Sequence, residues 1–249
     1  MQPVRSIGII PARMAATRLP GKPLVDIVGV PMLQRVWERA RAAELLDAVF
    51  VATPDLEIRD AALSFGCTPI MTSDRHRSGT DRLAEAVQDL AADIIVNIQG
   101  DEPLLDPSSI DAAVRPLRDN PDRLMTSLMA RCPEDQLDNP ATVKVVCRSD
   151  GSALYFSRAR LPFARTEAPA APTMQHIGLY AYRREFLIRY SQMAPTPLEQ
   201  TEMLEQLRAL ENGVEIQMVE VPNAPLSVDT PEDLEIVRRI IRETGAKSA

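Results

Sequence analysis

Four short apolar runs, each leading into a stretch of different periodicity, constrain this chain more than any other feature. Val4 to Ile10, Ala48 to Ala52, Thr68 to Met71 and Ile94 to Ile98 carry little polar alternation. Such runs suit strands buried on both faces of a parallel sheet. Between them, Met32, Leu33, Val36, Trp37 and Ala40 recur at helical spacing, which predicts a helix over 31–44. A second helix is expected over 55–65, ending near Gly66, and Leu83, Val87, Leu90 and Ala91 mark a third. The β-α-β-α-β-α-β order predicts an α/β fold with an open, doubly wound, mostly parallel sheet.

The second half reads differently. Leu124 to Met129, Val143 to Cys147 and Ala153 to Phe156 are short strand patterns, and Asp150-Gly151 predicts a hairpin between the last two. The Ala/Pro-rich stretch from Thr166 to Thr173 reads as a mobile loop, and His176 to Tyr182 as another strand. Thr196, Pro197 and Glu199 fit the start of a helix that runs to Gly213, with Met203, Leu204, Leu207 and Leu210 as its core stripe. Ile216 to Val219 is a strand, and Thr230-Pro231-Glu232-Asp233 opens a last helix. The chain is expected to form a single α/β unit over 1–249. Its core is 1–130 with 215–249, and a smaller mixed-sheet lobe is expected over 131–214.

Composition excludes several function classes. With 45% hydrophobic and 25% charged residues, the 249-residue chain is neither disordered nor fibrous. A net charge of −7 and 4% aromatic residues argue against a basic, base-stacking nucleic-acid surface. No apolar run approaches the roughly 20 residues that span a bilayer, so no membrane segment is expected. Ser6 to Ile10 is too short for a secretory h-region. Cys67, Cys132 and Cys147 form no CxxC and cannot all pair, which points to a reducing, cytoplasmic compartment.

In open α/β sheets, ligands bind beyond the carboxyl ends of the strands. That rule selects loops 11–23, 72–80 and 99–103 and the helix entry at 227–229. Loop 11–23 carries Arg13, Arg18 and Lys22 and no acid, in a chain where only three of 28 basic residues are lysine. Guanidinium forks and an ammonium suit phosphate oxygens; a solvated basic loop paired with surface acids is the plainer reading. Neither a Walker A nor a GxGxxG pattern is present. Asp101 follows an apolar strand, where a carboxylate needs a cation or a cap to justify it. Asp229 precedes the N-cap Thr230 and either assists that cap or points elsewhere. Two carboxylates beside a phosphate loop suggest Mg²⁺ shared between protein and substrate oxygens. Arg77, Ser78 and Gly79 lead into a helix N-terminus, either as a cap or as an anion site. Arg158, His176 and Tyr180 suit a carboxylated, polyhydroxylated ligand, although a lone strand histidine is commonly structural. Glu205 and Gln206 read by default as a solvated helix face.

Taken together, these segments resemble the 3-deoxy-D-manno-octulosonate (Kdo) cytidylyltransferase, or CMP-Kdo synthetase, family. The resemblance rests on IIPARMAATRLPGKPL (9–24), MTSDRHRSGTDRLAE (71–85), IVNIQGDEP (95–103), NPATVKVV (139–146), ALYFSRARLPF (153–163), HIGLYAYRREF (176–186), LEQTEMLEQLRALENG (198–213) and VDTPEDLE (228–235). Ala16 and Pro54 depart from the pattern, where serine and an acidic residue are expected. The resemblance implies a nucleotide-diphospho-sugar transferase-like sheet and the reaction of CTP with Kdo to give CMP-Kdo and diphosphate. It implies that Arg13, Arg18 and Lys22 hold the triphosphate. Pro11, Ala12, Arg77, Ser78 and Gly79 would form the rest of the nucleotide pocket. Asp101 and Asp229 would bind Mg²⁺, and Gln99, Arg158, His176, Tyr180, Glu205 and Gln206 would face the sugar acid. A homodimer built on the 131–214 lobe is implied too. An 8-amino analogue of Kdo or another acid sugar is the alternative substrate. A metal-dependent glycosyltransferase and a non-catalytic nucleotide sensor are the rival classes.

Overall fold

A computed structural model describes residues 4–15, 19–76, 78–166 and 171–245. The elements run β1 (Ser6–Pro11), β2 (Asp26–Ile27), β3 (Val30–Pro31), α1 (Met32–Arg41), β4 (Ala48–Thr53), α2 (Leu56–Ser64), β5 (Thr68–Met71), α3 (Gly79–Ala86), β6 (Ile94–Asn97) and α4 (Pro107–Asp119). They continue with β7 (Met125–Arg131), β8 (Lys144–Cys147), β9 (Ala153–Ser157), β10 (Met174–Arg183), α5 (Arg184–Ser191), α6 (Pro197–Glu202), α7 (Leu207–Glu211), β11 (Ile216–Glu220) and α8 (Pro231–Thr244). The main sheet has the order β11-β7-β10-β6-β1-β4-β5. β1 pairs in parallel with β4 and β6, β4 with β5, and β11 with β7. β10 is antiparallel to both its neighbours, β6 and β7.

The period-2 rule explains how one strand serves two cores. Ile7 and Ile9 point to the side covered by α3, α5 and α7; Ile10 points to the side covered by α1 and α4. Each is essentially sealed from solvent. Each such side chain stabilises the fold by about 1.5–3 kcal/mol relative to exposure.

The expected strands and helices of the first half are present, with shifted ends. α1 stops at Arg41 because the next turn is held elsewhere: the backbone N–H groups of Glu44 and Leu45 donate to the Asp111 carboxylate at 3.1 and 2.8 Å. α3 begins earlier, at Gly79. Two helices escaped the sequence reading. α4 is announced by Asp106, whose side chain accepts from Ser108 N, and by Pro107 at its first position. α5 follows β10 directly.

The second half attaches to the main sheet instead of closing off its own. β8 and β9 form the expected hairpin, and β8 joins the edge of β10, which itself runs through the middle of the large sheet. The helix expected from Thr196 to Gly213 is two helices. Met203 between them adopts a left-handed φ of 53° and is 76% exposed, so it leaves the core stripe assigned to it, while Leu204 and Leu207 remain buried. The cause is tertiary. Arg158 Nε donates to the Glu202 carbonyl at 2.8 Å and its Nη2 to the Met203 carbonyl at 3.3 Å. Those are the acceptors a continuous helix would need for its next turn. Tyr190 Oη donates to the carbonyl of Glu205 at 2.6 Å and holds the displaced turn in place.

Candidate active site

The described residues that follow β1 are tied down at intervals. Ala12 N donates to the Ala52 carbonyl at 3.0 Å and Met14 N to the Asp55 carboxylate at 2.7 Å. Gly21 then takes a φ of +68°, which glycine adopts without Cβ strain, and starts the single helical turn Lys22–Leu24. β2, the start of α1, and α8 with the residue Val228 before it share a small core of Ile27, Met32, Val228, Leu234, Val237 and Ile241. That core presses the Lys22 turn against the entry to α8. Thr230 caps α8 reciprocally with Asp233, whose carboxylate also accepts from Asp229 N at 3.0 Å. Asp229 thus joins the cap through its backbone N–H, while its side chain meets Lys22. The backbone N–H of Val228 donates to the carbonyl of Asp101 at 2.9 Å, which joins the third loop to the other two.

Lys22 Nζ lies 2.6 Å from Asp101 Oδ2 and 2.9 Å from Asp229 Oδ1, across sequence separations of 79 and 207 residues. Burial works against the ammonium, but the two carboxylates outweigh it and hold the Lys22 pKa above its ordinary value. The neighbouring Glu102 behaves oppositely. Burial first, and then the charge of Asp101, push its carboxyl up to about 8, and its one side-chain contact is a long 3.5 Å approach from Ser227 Oγ. At neutral pH it is mainly protonated, so Lys22 faces two carboxylates and not three.

These groups open onto a 440 Å³ cavity, and of the expected site residues Pro11, Ala12, Arg13, Lys22, Ser78, Gly79, Asp101 and Asp229 line it, together with Gln99, which was expected at the sugar acid. His76, Arg82 and Met32 line it as well and were not assigned. Arg82 was legible only as part of the RHRSGTDR run. Its guanidinium is buried and donates to Thr72 Oγ1 at 2.5 Å and to the carbonyl of Ser73 at 3.1 Å. Burial, then the charge of Arg13, lower its pKa. Two guanidiniums bordering one cavity are relieved by an anion between them. His76 pairs with Glu85. Ser78 both lines the cavity and caps α3, accepting from Asp81 N at 3.1 Å. Gly79 allows the helix to approach β1: a Cβ there would sit 3.3 Å from Pro11 Cγ. Arg18 and Arg77 lie outside the described residues.

A second, 210 Å³ cavity shares Pro11, Gly79 and Gln99 with the first. It is further lined by Thr80, Asn97, Met125, Tyr180, Tyr182, Tyr190, Glu205 and Gln206. Glu205 and Gln206 are thus not a solvated face. The break at Met203 turns them inward, and Gln206 is 4% exposed. Burial raises the Glu205 pKa, opposed by the Thr80 hydroxyl and Arg208. Gln99 Nε2 donates to the carbonyl of Gly178 at 2.9 Å, so its amide oxygen is what it offers a ligand. Among the described residues, no cationic side chain lines this second cavity.

Two expected sugar residues line neither cavity. Arg158 spends its guanidinium on the carbonyls of Glu202, Met203 and Pro140, the last at 2.9 Å. Its effect on the second cavity is indirect, through the turn that carries Glu205 and Gln206. Arg158→Ala is expected to lower stability by about 1–3 kcal/mol in urea unfolding, and to raise the KM of the second-cavity ligand more than that of the nucleotide.

His176 Nε2 lies 2.9 Å from Ser127 Oγ, beside the β10 irregularity between Ile177 and Tyr180. Burial lowers its pKa from 6.5 to about 3, so the ring is neutral at pH 7. The unfolded chain takes up a proton below about pH 6.5 that the folded ring refuses. This contribution to stability is therefore present above pH 6.5 and lost as the pH falls toward 3, with a slope of up to about 1.4 kcal/mol per unit. His176→Gln is expected to flatten the pH dependence of the urea midpoint in that window.

A polar, cation-lined cavity at the carboxyl ends of an α/β sheet, with two aspartates in its lining and a second polar cavity beside it, is the arrangement of a nucleotidyltransferase. The comparisons narrow the class. A family model described as cytidylyltransferase matches residues 7–216. A 3-deoxy-manno-octulosonate cytidylyltransferase of Solibacter usitatus is 50% identical over 241 residues, covering 96% of each chain. The mitochondrial one of Arabidopsis thaliana is 45% identical over 96% of this chain and 84% of its own. The structure of CMP:2-keto-3-deoxy-manno-octonic acid synthetase complexed with CTP superposes with a TM-score of 0.93 at 42% identity, covering 96% of this chain and 99% of that one. The chain belongs to the 3-deoxy-manno-octulosonate cytidylyltransferase family.

Proposed function

We infer that this protein transfers the cytidylyl group of CTP to the anomeric hydroxyl of Kdo, giving CMP-Kdo and diphosphate. The observation that carries the reading is the meeting of Lys22, Asp101 and Asp229 in the lining of a cavity that shares Pro11, Gly79 and Gln99 with a second, hydroxyl-lined one.

The chemistry is an in-line displacement at the α-phosphorus, in which positioning and charge neutralisation do most of the catalysis. Arg13 and Lys22 hold the triphosphate, together with Arg18. Pro11, Ala12, Ser78 and Gly79 shape the nucleotide pocket with Arg77. Gln99, Tyr180, Glu205 and Gln206 receive the sugar. A single cationic centre already reaches both Asp101 and Asp229, so the pair suits Mg²⁺, which takes one or two carboxylates plus phosphate oxygens. When bound, Mg²⁺ would withdraw phosphoryl charge and ease loss of the hydroxyl proton. With a metal held by Asp101 and Asp229, the Lys22 ammonium would be available to the phosphates.

Further parts of the proposal have narrower support. The product supplies Kdo for lipopolysaccharide. A reducing, cytoplasmic location is supported by three free cysteines. Homodimerisation through segment 131–214 is supported by Leu154, Phe163 and Met203, exposed there at 50%, 84% and 76%; elution volume on a calibrated column checks it. No described helix is long and apolar enough to cross a membrane.

The deciding experiment mixes the protein, CTP and Mg²⁺ with Kdo, 8-amino-Kdo or sialic acid and follows diphosphate. Release with Kdo, and none without a sugar acid, is expected. Silence with Kdo beside turnover of another acid sugar would move the specificity, and silence with all three would overturn the reading.

A further inference from the structure

Two residues that line the 210 Å³ cavity each carry a buried polar atom with no hydrogen-bond partner: Asn97 Oδ1 and Gln206 Nε2. Their residues are 5% and 4% exposed. Buried polar atoms are almost always paired, and one left unpaired is costly until a ligand supplies the opposite group. The two come from unrelated elements. Asn97 is the last residue of β6, in register with Tyr180 of β10, while Gln206 is delivered by the turn that Arg158 and Tyr190 hold. An acceptor and a donor left open in one cavity, by independent parts of the fold, describe a binding surface for hydroxyl groups.

We propose that the Asn97 carboxamide determines specificity for the sugar acid, accepting a hydrogen bond from a substrate hydroxyl remote from the anomeric centre while Gln206 donates to a nearby oxygen. The inference rests on the acid-sugar reading above and adds an orientation to it. In a 2-keto sugar acid the carboxylate is attached to the anomeric carbon, so both face the same way. The cations border the first cavity, and the second has none among the described residues. The acid and anomeric end therefore lies toward the wall both cavities share, at Gln99, and the polyol points into the second cavity. Asn97 precedes Gln99 by two residues along an extended chain, about 7 Å deeper, where it meets hydroxyls of the polyol and not the reacting one.

The test compares wild type with Asn97→Leu, using Kdo and a set of Kdo analogues that each lack one hydroxyl. A site built to bond a hydroxyl rejects the analogue without it. The variant is expected to lose about 10- to 100-fold in kcat/KM for Kdo, with the KM for CTP changed by less than about threefold. One deoxy analogue that wild type rejects should become as good a substrate as Kdo. The melting temperature of the unliganded variant should stay level or rise, because an unpaired buried group is removed; an asparagine that held the fold together would lower it. Asn97→Ser, smaller and still polar, is made in parallel and should also weaken the discrimination. Unchanged kcat/KM, an equal loss on Kdo and every analogue, or a lowered melting temperature in both variants would overturn the proposal. Wild type that releases no diphosphate with any sugar acid would instead overturn the function on which it rests.

Discussion

Asp101→Ala is expected to cut turnover by about 1,000-fold or more at millimolar Mg²⁺ while leaving a folded protein. Loss of a single preorganised charge-stabilising group costs roughly 100- to 1,000-fold in other enzymes, and this carboxylate sits in the proposed metal position as well. The fold is expected to tolerate the change because the link between loops is made by backbone: the bond from Val228 N to the Asp101 carbonyl survives the substitution. Circular dichroism and a melting curve establish that the protein is folded, and diphosphate release measures the loss. Near-normal turnover would remove Asp101 from the machinery and leave the protein as a binder of nucleotide.

Lys22→Met separates the two jobs of the ammonium. As a partner for the triphosphate it makes a charge-assisted contact worth about 1.5–3 kcal/mol, so kcat/KM for CTP should fall about 10- to 150-fold. As a counter-ion it already occupies the place between Asp101 and Asp229. Removing it takes one positive charge from between the two carboxylates, which favours Mg²⁺ there by simple Coulomb attraction. Added Mg²⁺ should therefore raise the melting temperature of Lys22→Met more than that of wild type, even though the variant turns over more slowly. Equal responses to Mg²⁺ would place the metal away from the pair. A fall of less than threefold in kcat/KM would place the triphosphate away from Lys22.

Much of this was legible in the residues. The alternation of buried strands with amphipathic helices is a local property of side-chain periodicity, and it predicted β1, β4, β5 and β6 and the helices between them. The strand-end rule then selected the loops, and the chemistry of their side chains selected Lys22, Asp101 and Asp229. Capping is local as well, and Thr230 with Asp233 behaved as that pattern implies. The errors fall where a distant group competes with a local preference. Met203 has the spacing of a core residue, but Arg158, 45 residues away, takes the carbonyl its helix needed. That contact turns Glu205 and Gln206 from a solvent face into a cavity wall. Arg158 itself has the charge to suit a carboxylate and is spent on backbone instead. Asn97 gave no sign of importance, because a strand-end asparagine is unremarkable until its oxygen is found buried and unpaired.

The amino-acid order alone thus determined the succession of elements and the kinds of charge at the strand ends, since both depend on near neighbours and repeat distances. Only the folded chain decided that residues 22, 101 and 229 share a 3 Å neighbourhood, and that two cavities meet at Gln99. Those outcomes depend on packing between segments up to 207 residues apart, and no local periodicity records such distances.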